Sequence, residues 1–145
     1  MLGQDFKEFI ALLHAHDVRY LIVGGYAVAA HGYPRYTKDL DIWVDASDEN
    51  VGRLLAALED FGFGSMGITR EDFLEPESIL QLGQPPNRID LLTSLNAVDF
   101  ASCHAARVLV NVDGLEMAFI DVEHLIENKS ATGRAQDQAD AENLR

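Results

Sequence analysis

The sequence has almost no cysteine and no long apolar run. Its 145 residues include a single cysteine, Cys103, which excludes an intramolecular disulfide and is typical of a protein from a reducing cytosol. No stretch approaches the ~20 apolar residues of a membrane-spanning helix. The first residues, MLGQDFKEF, also lack the basic and then apolar pattern of a signal peptide. We therefore expect a cytoplasmic protein that does not enter a membrane.

Positive charge is scarce as well. The chain has 11 Lys and Arg residues against 24 Asp and Glu residues, which gives a formal net charge of −13. A chain with this charge repels a nucleic-acid backbone, so we expect a nucleic acid only as an acceptor substrate and not as a general binding partner. A divalent cation held between the protein and a phosphate ligand is compatible with the same charge.

The apolar content and its spacing predict a folded domain. Hydrophobic residues make up 48% of the chain, and the length suits a single domain over residues 1–145. Periodicity predicts the order α-β-α-β-α-β-β-α-β-β-α-α, and hence an α/β (α+β) fold with a mixed β-sheet flanked by helices. The predicted helices cover 4–16, 26–31, 47–61, 98–106, 122–129 and 135–144. The predicted strands cover 19–23, 40–44, 78–82, 88–92, 108–112 and 115–120.

Two aspartates, Asp39 and Asp41, stand at the head of the predicted strand 40–44. Side chains alternate along a strand, so residues two apart point to the same side. Two carboxylates so close repel each other and raise one pKa unless a cation lies between them. A hard divalent ion, most simply Mg²⁺, resolves that conflict and also takes substrate phosphates. The alternative, more common for a bare D-x-D, is that Asp39 starts the strand and Asp41 faces solvent.

A third carboxylate, Asp90, lies in the predicted strand 88–92. Its neighbours Ile89 and Leu91 would face the core, which places Asp90 on the opposite side. If this strand lies beside the strand 40–44, all three carboxylates meet on one surface. Such a triad can hold two ions about 4 Å apart, one activating a nucleophilic oxygen and the other stabilising the leaving phosphate.

The residues around these aspartates offer contacts for phosphate. Gly24-Gly25 separates a predicted strand from a predicted helix, and glycines let backbone N–H groups approach an anion, although a tight turn also needs glycine. Neither a Walker nor a Rossmann glycine motif is present. Arg35 could offset phosphate charge and Thr37 could hydrogen-bond it, while the alternative for both, and for Lys38, is a solvated loop.

The stretch VGGYAVAAHGYPRYTKDLDIWVD resembles the core of the nucleotidyltransferase superfamily built around DNA polymerase β. Its members carry a Gly-Gly or Gly-Ser turn, a short helix and then a D-x-D heading the next strand. The later RIDLLTS and the tail LIENKSATGRAQDQADAENL resemble small bacterial and archaeal members allied to AbiEii-type toxins and antibiotic nucleotidyltransferases. The resemblance extends over residues 19–144.

This resemblance implies a nucleotidyltransferase fold and a Mg²⁺-dependent transfer of a nucleoside monophosphate from an NTP to a hydroxyl acceptor. By position, Asp39, Asp41 and Asp90 would hold two Mg²⁺ ions, and Asp90 would activate the acceptor hydroxyl. Gly24 and Gly25 would form the phosphate turn. Many members carry Ser where this chain has Gly25, so the phosphate contact would fall to backbone N–H groups.

The resemblance also assigns roles in the tail. Lys129 would face the triphosphate, and Asp137 would orient or brace that lysine. Without the resemblance, Lys129 and Arg134 fit simple charge complementation at a helix end.

Two functions are compatible with these residues. One is an active nucleotidyltransferase whose acceptor is a protein, a tRNA or a small molecule; a partner protein in a toxin–antitoxin pair would suit so small a chain. The other is a catalytically inactive module of the same fold that binds a nucleotide or a partner. Whether the carboxylates of Asp39, Asp41 and Asp90 converge within reach of one metal ion is expected to discriminate between them, because an Asp90 that points elsewhere favours the inactive module.

Overall fold

A six-stranded mixed sheet with flanking helices forms the molecule, as the sequence predicts. The computed structural model describes residues 3–33, 39–75, 77–84 and 88–145. Within these ranges no helix is both long enough and apolar enough to cross a bilayer. The strands are β1 Tyr20–Val23, β2 Leu40–Val44, β3 Ile79–Leu82, β4 Ile89–Leu92, β5 Val108–Val112 and β6 Leu115–Phe119. The helices are α1 Gln4–Ala15, α2 Gly24–Ala30, α3 Asp48–Leu58, α4 Phe100–Ala105, α5 Val122–Ala131 and α6 Ala135–Leu144, with short helical turns at Glu59–Phe63, Gly64–Met66 and Arg70–Phe73.

The strand order β3-β4-β2-β1-β6-β5 brings the two acidic strands together. β1 and β2 are antiparallel, whereas β2 and β4 are parallel. The carboxyl end of β1 therefore meets the amino ends of β2 and β4 at one edge of the sheet. In this register Asp41 lies beside Val23 on one side and beside Asp90 on the other.

The burial of β2 explains why its polar positions are confined to its beginning. Leu40, Ile42 and Val44 are fully buried, as expected for the core face. Trp43, on the face that Asp41 shares, is also buried, because Phe100 of α4 packs edge-on against it with ring centroids 5.2 Å apart. The strand is thus covered on both faces except near Asp41.

Ser47 and Asn50 fix the amino end of α3. Ser47 accepts a hydrogen bond from the backbone N–H of Asn50, as an N-cap serine should. The Asn50 side chain, which is fully buried, does not complete a capping box; it bonds the backbone N–H and C=O of Arg19 and the C=O of Asp45. Asn50 therefore ties α3 to β1 and to the residue after β2.

The helix after β1 begins earlier than the sequence predicts. Residues Gly24 and Gly25 are the first two residues of α2, which was expected to start at Tyr26. Gly24 has φ +68°, a left-handed value that favours glycine. The glycine pair is therefore the first turn of the helix and not a loop ahead of it.

Candidate active site

A cavity of about 780 Å³ opens at the edge of the sheet where β1 ends and β2 begins. Its size lies within the range typical of ligand pockets. Polar groups from several parts of the chain line it, among them the start of α2, the acidic residues at the start of β2, and the adjoining ends of α5 and α6. The lining includes Gly24, Gly25, Asp39, Asp41, Asn128, Lys129, Thr132, Arg134 and Asp137. The structure thus brings the sequence-predicted residues of this set to one cavity.

Gly24 is in direct contact with Asp41. A Cβ atom on Gly24 would lie 2.2 Å from Asp41 Oδ2, a distance that no side chain tolerates. With its positive φ, this contact requires glycine at the position on two counts. The absence of a side chain lets the Asp41 carboxylate lie directly against the first turn of α2.

Negative charge at Asp41 is poorly compensated. Burial, followed by the neighbouring carboxylates of Asp90 and Asp39, raises the pKa of Asp41 to about 7, although Lys129 acts in the opposite direction. A group in this state gains from any cation that comes to lie beside it. The surroundings of Asp41 therefore favour a neighbouring cation.

Arg88, which the sequence argument did not select, joins the other two carboxylates. Its Nη2 donates to Asp39 Oδ2 at 2.7 Å and to Asp90 Oδ2 at 3.2 Å, and its Nε donates to Asp90 Oδ1 at 3.0 Å. Arg88 precedes Asp90 by two positions on the same strand, so the alternation rule used for Asp39 and Asp41 also places it on the acidic side. Applied to this strand, that rule would have found it.

The acidic residues suit a hard cation in type, but they are not arranged around one. Asp39 Oδ1 is buried and accepts no hydrogen bond from the described residues, and oxygen atoms of this kind are what Mg²⁺ binds. Yet among those residues no group of three His, Cys, Asp or Glu side chains is close enough to hold a metal ion. The Arg88 guanidinium lies between Asp39 and Asp90 instead. Asp90 lies beside Asp41 across β2 and β4 and accepts from Arg88, but it is not among the residues that line the cavity.

Lys129 lies in a buried ion cluster between α5 and α6. Its Nζ is 3.0 Å from Asp137 Oδ1 and 3.2 Å from Asp140 Oδ2, and all three side chains are at least 94% buried. Thr132 Oγ1 and Arg134 Nε each donate to Asp137 Oδ2 at 2.7 Å. Burial alone would raise the pKa of Asp137, but the hydrogen bonds from Thr132, Lys129 and Arg134 hold it below the ordinary value.

This burial shows that Lys129 is not a solvent-exposed lysine that merely complements a helix end. Lys129 and Asp137 are in contact, while the role of Asp137 in bracing the lysine for a triphosphate stays a prediction. Asp140, the second aspartate of the tail motif, was not selected as a site residue, although its position one helical turn after Asp137 could have identified it.

Arg35 and Thr37, with Lys38, fall outside the described residues. Cys103 is buried in α4, and burial raises the pKa of its thiol to about 12, with Asp121, Asp99 and Glu127 adding to the effect. A thiol in that state is not a nucleophile at neutral pH.

Comparisons with known proteins identify the family and the fold. Residues 2–145 match the model of a family described as a nucleotidyltransferase of unknown function (DUF6036). No curated protein matches the sequence. Several solved structures resemble the fold, including a lincosamide antibiotic adenylyltransferase, LnuA, with lincomycin bound. That structure has a TM-score of 0.60 at 16% identity, over 99% of this chain and 96% of that one.

Two further solved structures are similar to this chain. ANT(2")-Ia in complex with adenylyl-2"-tobramycin has a TM-score of 0.56 at 14% identity, over 96% of this chain and 84% of that one. An antigenic nucleotidyltransferase-like protein from Paracoccidioides brasiliensis has a TM-score of 0.52 at 16% identity, over 99% of this chain and 75% of that one. At these identities the likeness establishes the fold, while the family match covers nearly the whole chain.

Proposed function

Because this chain belongs to the family of nucleotidyltransferases of unknown function (DUF6036), we propose that it moves a nucleoside monophosphate from an NTP to a hydroxyl acceptor with the help of Mg²⁺. The observation that carries this proposal is the position of Asp41, which pairs with Asp90 across β2 and β4 and lines a cavity together with Lys129 and the Gly24-Gly25 turn. Carboxylates on one side and phosphate-binding groups on the other are what nucleotidyl transfer needs.

The residues divide the work as follows. Asp39 and Asp41 would hold the metal ions, since Asp39 Oδ1 has no hydrogen bond from the described residues and Asp41 lies among like charges. Bound Mg²⁺ would offset phosphate charge and polarise the reacting oxygen. The acceptor oxygen would attack the α-phosphorus while the bond to the β-phosphate oxygen breaks. The hydroxyl proton would pass to Asp90, and pyrophosphate would leave.

The triphosphate would lie along the first turn of α2 and the α5–α6 connection. The first N–H groups of a helix have no partner inside it, so the amides of Gly24 and Gly25 are suited to phosphate oxygens. Lys129 has three N–H donors, of which two face Asp137 and Asp140, and the third would face the phosphates. Asp137 would brace the lysine. Arg35 and Thr37 remain proposed phosphate contacts from the segment ahead of Asp39.

We propose a small molecule as the acceptor. The net charge of −13 disfavours a tRNA that binds unaided. Among proteins of similar fold, one is a lincosamide antibiotic adenylyltransferase and another holds adenylyl-2"-tobramycin, so this fold accommodates small acceptors. A protein acceptor, including a partner in a toxin–antitoxin pair, would appear in the same assay as a labelled polypeptide.

The experiment follows the nucleotide and does not require the acceptor to be known. The protein is incubated with MgCl₂, each of the four NTPs labelled at the α-phosphate, and separate small-molecule, tRNA and protein fractions of a cell extract. Transfer of label to the small-molecule fraction is expected, and Asp41→Asn should abolish it. Asp113→Asn, in the β5–β6 turn, removes the same charge far from the cavity and should leave transfer unchanged, because Asn-Gly also suits that turn.

Equal transfer by wild type and Asp41→Asn would refute the proposed site. No transfer with any nucleotide and any fraction would favour the second candidate, an inactive module of the same fold. One observation supports that candidate: Arg88 occupies the space between Asp39 and Asp90. Nucleotide binding without product would then be the expected result.

A further inference from the structure

The ion pairs of Arg88 use the oxygen atoms that a metal ion would need. Asp39 Oδ2 and both carboxylate oxygens of Asp90 accept from this one guanidinium, at 2.7 to 3.2 Å. Of the carboxylate oxygen atoms of Asp39 and Asp90, only Asp39 Oδ1 lies outside these contacts, and it is buried. A cation that enters the cluster must therefore compete with Arg88 for its ligands.

The charges favour such an exchange. Three carboxylates that come together carry a formal charge of −3, and one guanidinium lowers this to −2. Arg is well suited to the metal-free state, because its planar fork contacts two carboxylates at once and it is always charged. Its attraction to the carboxylates is weaker than that of a divalent ion, because the ion has twice the charge in a much smaller volume.

Arg88 can also leave without unpacking the core. Its side chain is 27% exposed, while that of Asp90 is only 12% exposed. The backbone of Arg88 is held independently, because its C=O accepts from the Leu40 N–H at 3.0 Å. The guanidinium can therefore swing towards solvent while β4 keeps its register on β2.

We propose that Arg88 is a positioning residue that stands in for the metal ion in the metal-free protein and is displaced when Mg²⁺ binds. This inference rests on the proposed function, because it takes Asp39, Asp41 and Asp90 as the metal ligands. It accounts for a cluster that has the ligands for a metal and yet no ready metal cage among the described residues. Arg88 keeps Asp39 and Asp90 at a short separation, and Mg²⁺ binding includes the free-energy cost of breaking its contacts.

Metal affinity measured with MgCl₂ alone tests the proposal. In Arg88→Gln the competitor is gone and one more negative charge is uncompensated, so calorimetry should show Mg²⁺ binding at least about fivefold tighter than in wild type. Arg88→Lys should lie between the two, because an ammonium cannot bridge both carboxylates as a fork. Arg53→Gln, on the exposed surface of α3, makes the same change in net charge away from the cavity and should bind like wild type.

A second readout guards against a variant that is simply less stable. Each protein is melted with and without MgCl₂, so that each serves as its own reference. The increase in Tm caused by MgCl₂ should be larger for Arg88→Gln than for wild type, and unchanged for Arg53→Gln. A purely structural salt bridge predicts the reverse, since its loss would disorder the carboxylates and weaken Mg²⁺ binding.

The outcomes separate this inference from the proposed function. If Arg88→Gln binds Mg²⁺ as wild type does or more weakly, while Asp41→Asn abolishes binding, Arg88 is not a stand-in and the metal site remains supported. If neither wild type nor Arg88→Gln binds Mg²⁺, both this inference and the metal-dependent function are wrong.

Discussion

At the scale of the residue, Gly24 has the most restrictive surroundings in the site. Its positive φ and its contact with Asp41 are separate constraints, and a comparison with Gly67 distinguishes their effects. Gly67 has φ +73°, close to the +68° of Gly24, but nothing lies within 4 Å of the place where its Cβ would be. Gly67→Ala should therefore lower the free energy of unfolding by about 1 kcal/mol, the cost of a left-handed conformation. Gly24→Ala should lower it by at least about 2 kcal/mol, because Asp41 must also move.

Urea unfolding of the two variants measures that difference. Mg²⁺ affinity provides a second comparison, because only Gly24→Ala displaces a proposed ligand. Equal losses of stability in both variants, with equal Mg²⁺ affinity, would show that the Gly24–Asp41 contact does not matter.

The position of a side chain in the site could be predicted from the sequence only where the alternation of side chains along a strand determines it. Alternation placed Asp39, Asp41 and Asp90 on one side, and the parallel β2–β4 register agrees. Arg88, on the same strand as Asp90, was missed because only carboxylates were considered as partners for a metal ion. The partners of the Asn50 side chain on Arg19 and Asp45 could not be foreseen from the sequence, since they depend on the packing of α3 against the sheet.

At the scale of the element, the contact between α5 and α6 depends on buried charge. Lys129 is paired with Asp137 and Asp140, all nearly inaccessible to water. Removing the lysine takes a cation away from two buried carboxylates, of which Asp137 keeps its contact with Arg134. Such a loss is far more costly than losing a surface ion pair. Lys129→Met should therefore lower the free energy of unfolding by about 3 kcal/mol or more.

Lys7→Met is the matched control for that change. Lys7 is partly exposed and reaches Asp113 only at 4.0 Å, so its loss should alter stability by less than about 1 kcal/mol. Chemical unfolding of both variants at neutral pH makes the comparison. A similar, small loss in the two would show that the cluster around Lys129 does not hold the helices together.

The order of elements was predictable in full, and the reason is periodicity. Buried Phe6, Phe9, Ile10 and Leu13 recur at helical spacing in α1, and the Asp113-Gly114 turn joins β5 to β6 as its dipeptide indicates. The start of α2 was placed two residues late, because glycine is a poor helix former and the contact of Gly24 with Asp41 is not visible in the sequence.

At the scale of the whole molecule, the dominant property is the net charge of −13. Self-repulsion at this charge opposes the compact state, and salt screens it. Raising NaCl from about 0.05 M to about 0.5 M shortens the Debye length severalfold and should raise the Tm by a few degrees. Differential scanning calorimetry in buffer without divalent ions measures the effect. A fall in Tm would instead mean that surface ion pairs such as Arg19–Asp45, which salt also screens, contribute more than the repulsion.

The pairing of Arg88 with Asp39 has a consequence for how the chain assembles. These residues are 49 positions apart, so β4 docks on β2 only through a long-range step of the kind that slows folding. That docking carries Asp90 towards two carboxylates that already share one strand end. Arg88 precedes Asp90 by two residues, so the third negative charge is accompanied by a positive charge. We therefore expect the sheet to close without an ion from solution, so that newly made chains reach their fold whatever the supply of metal.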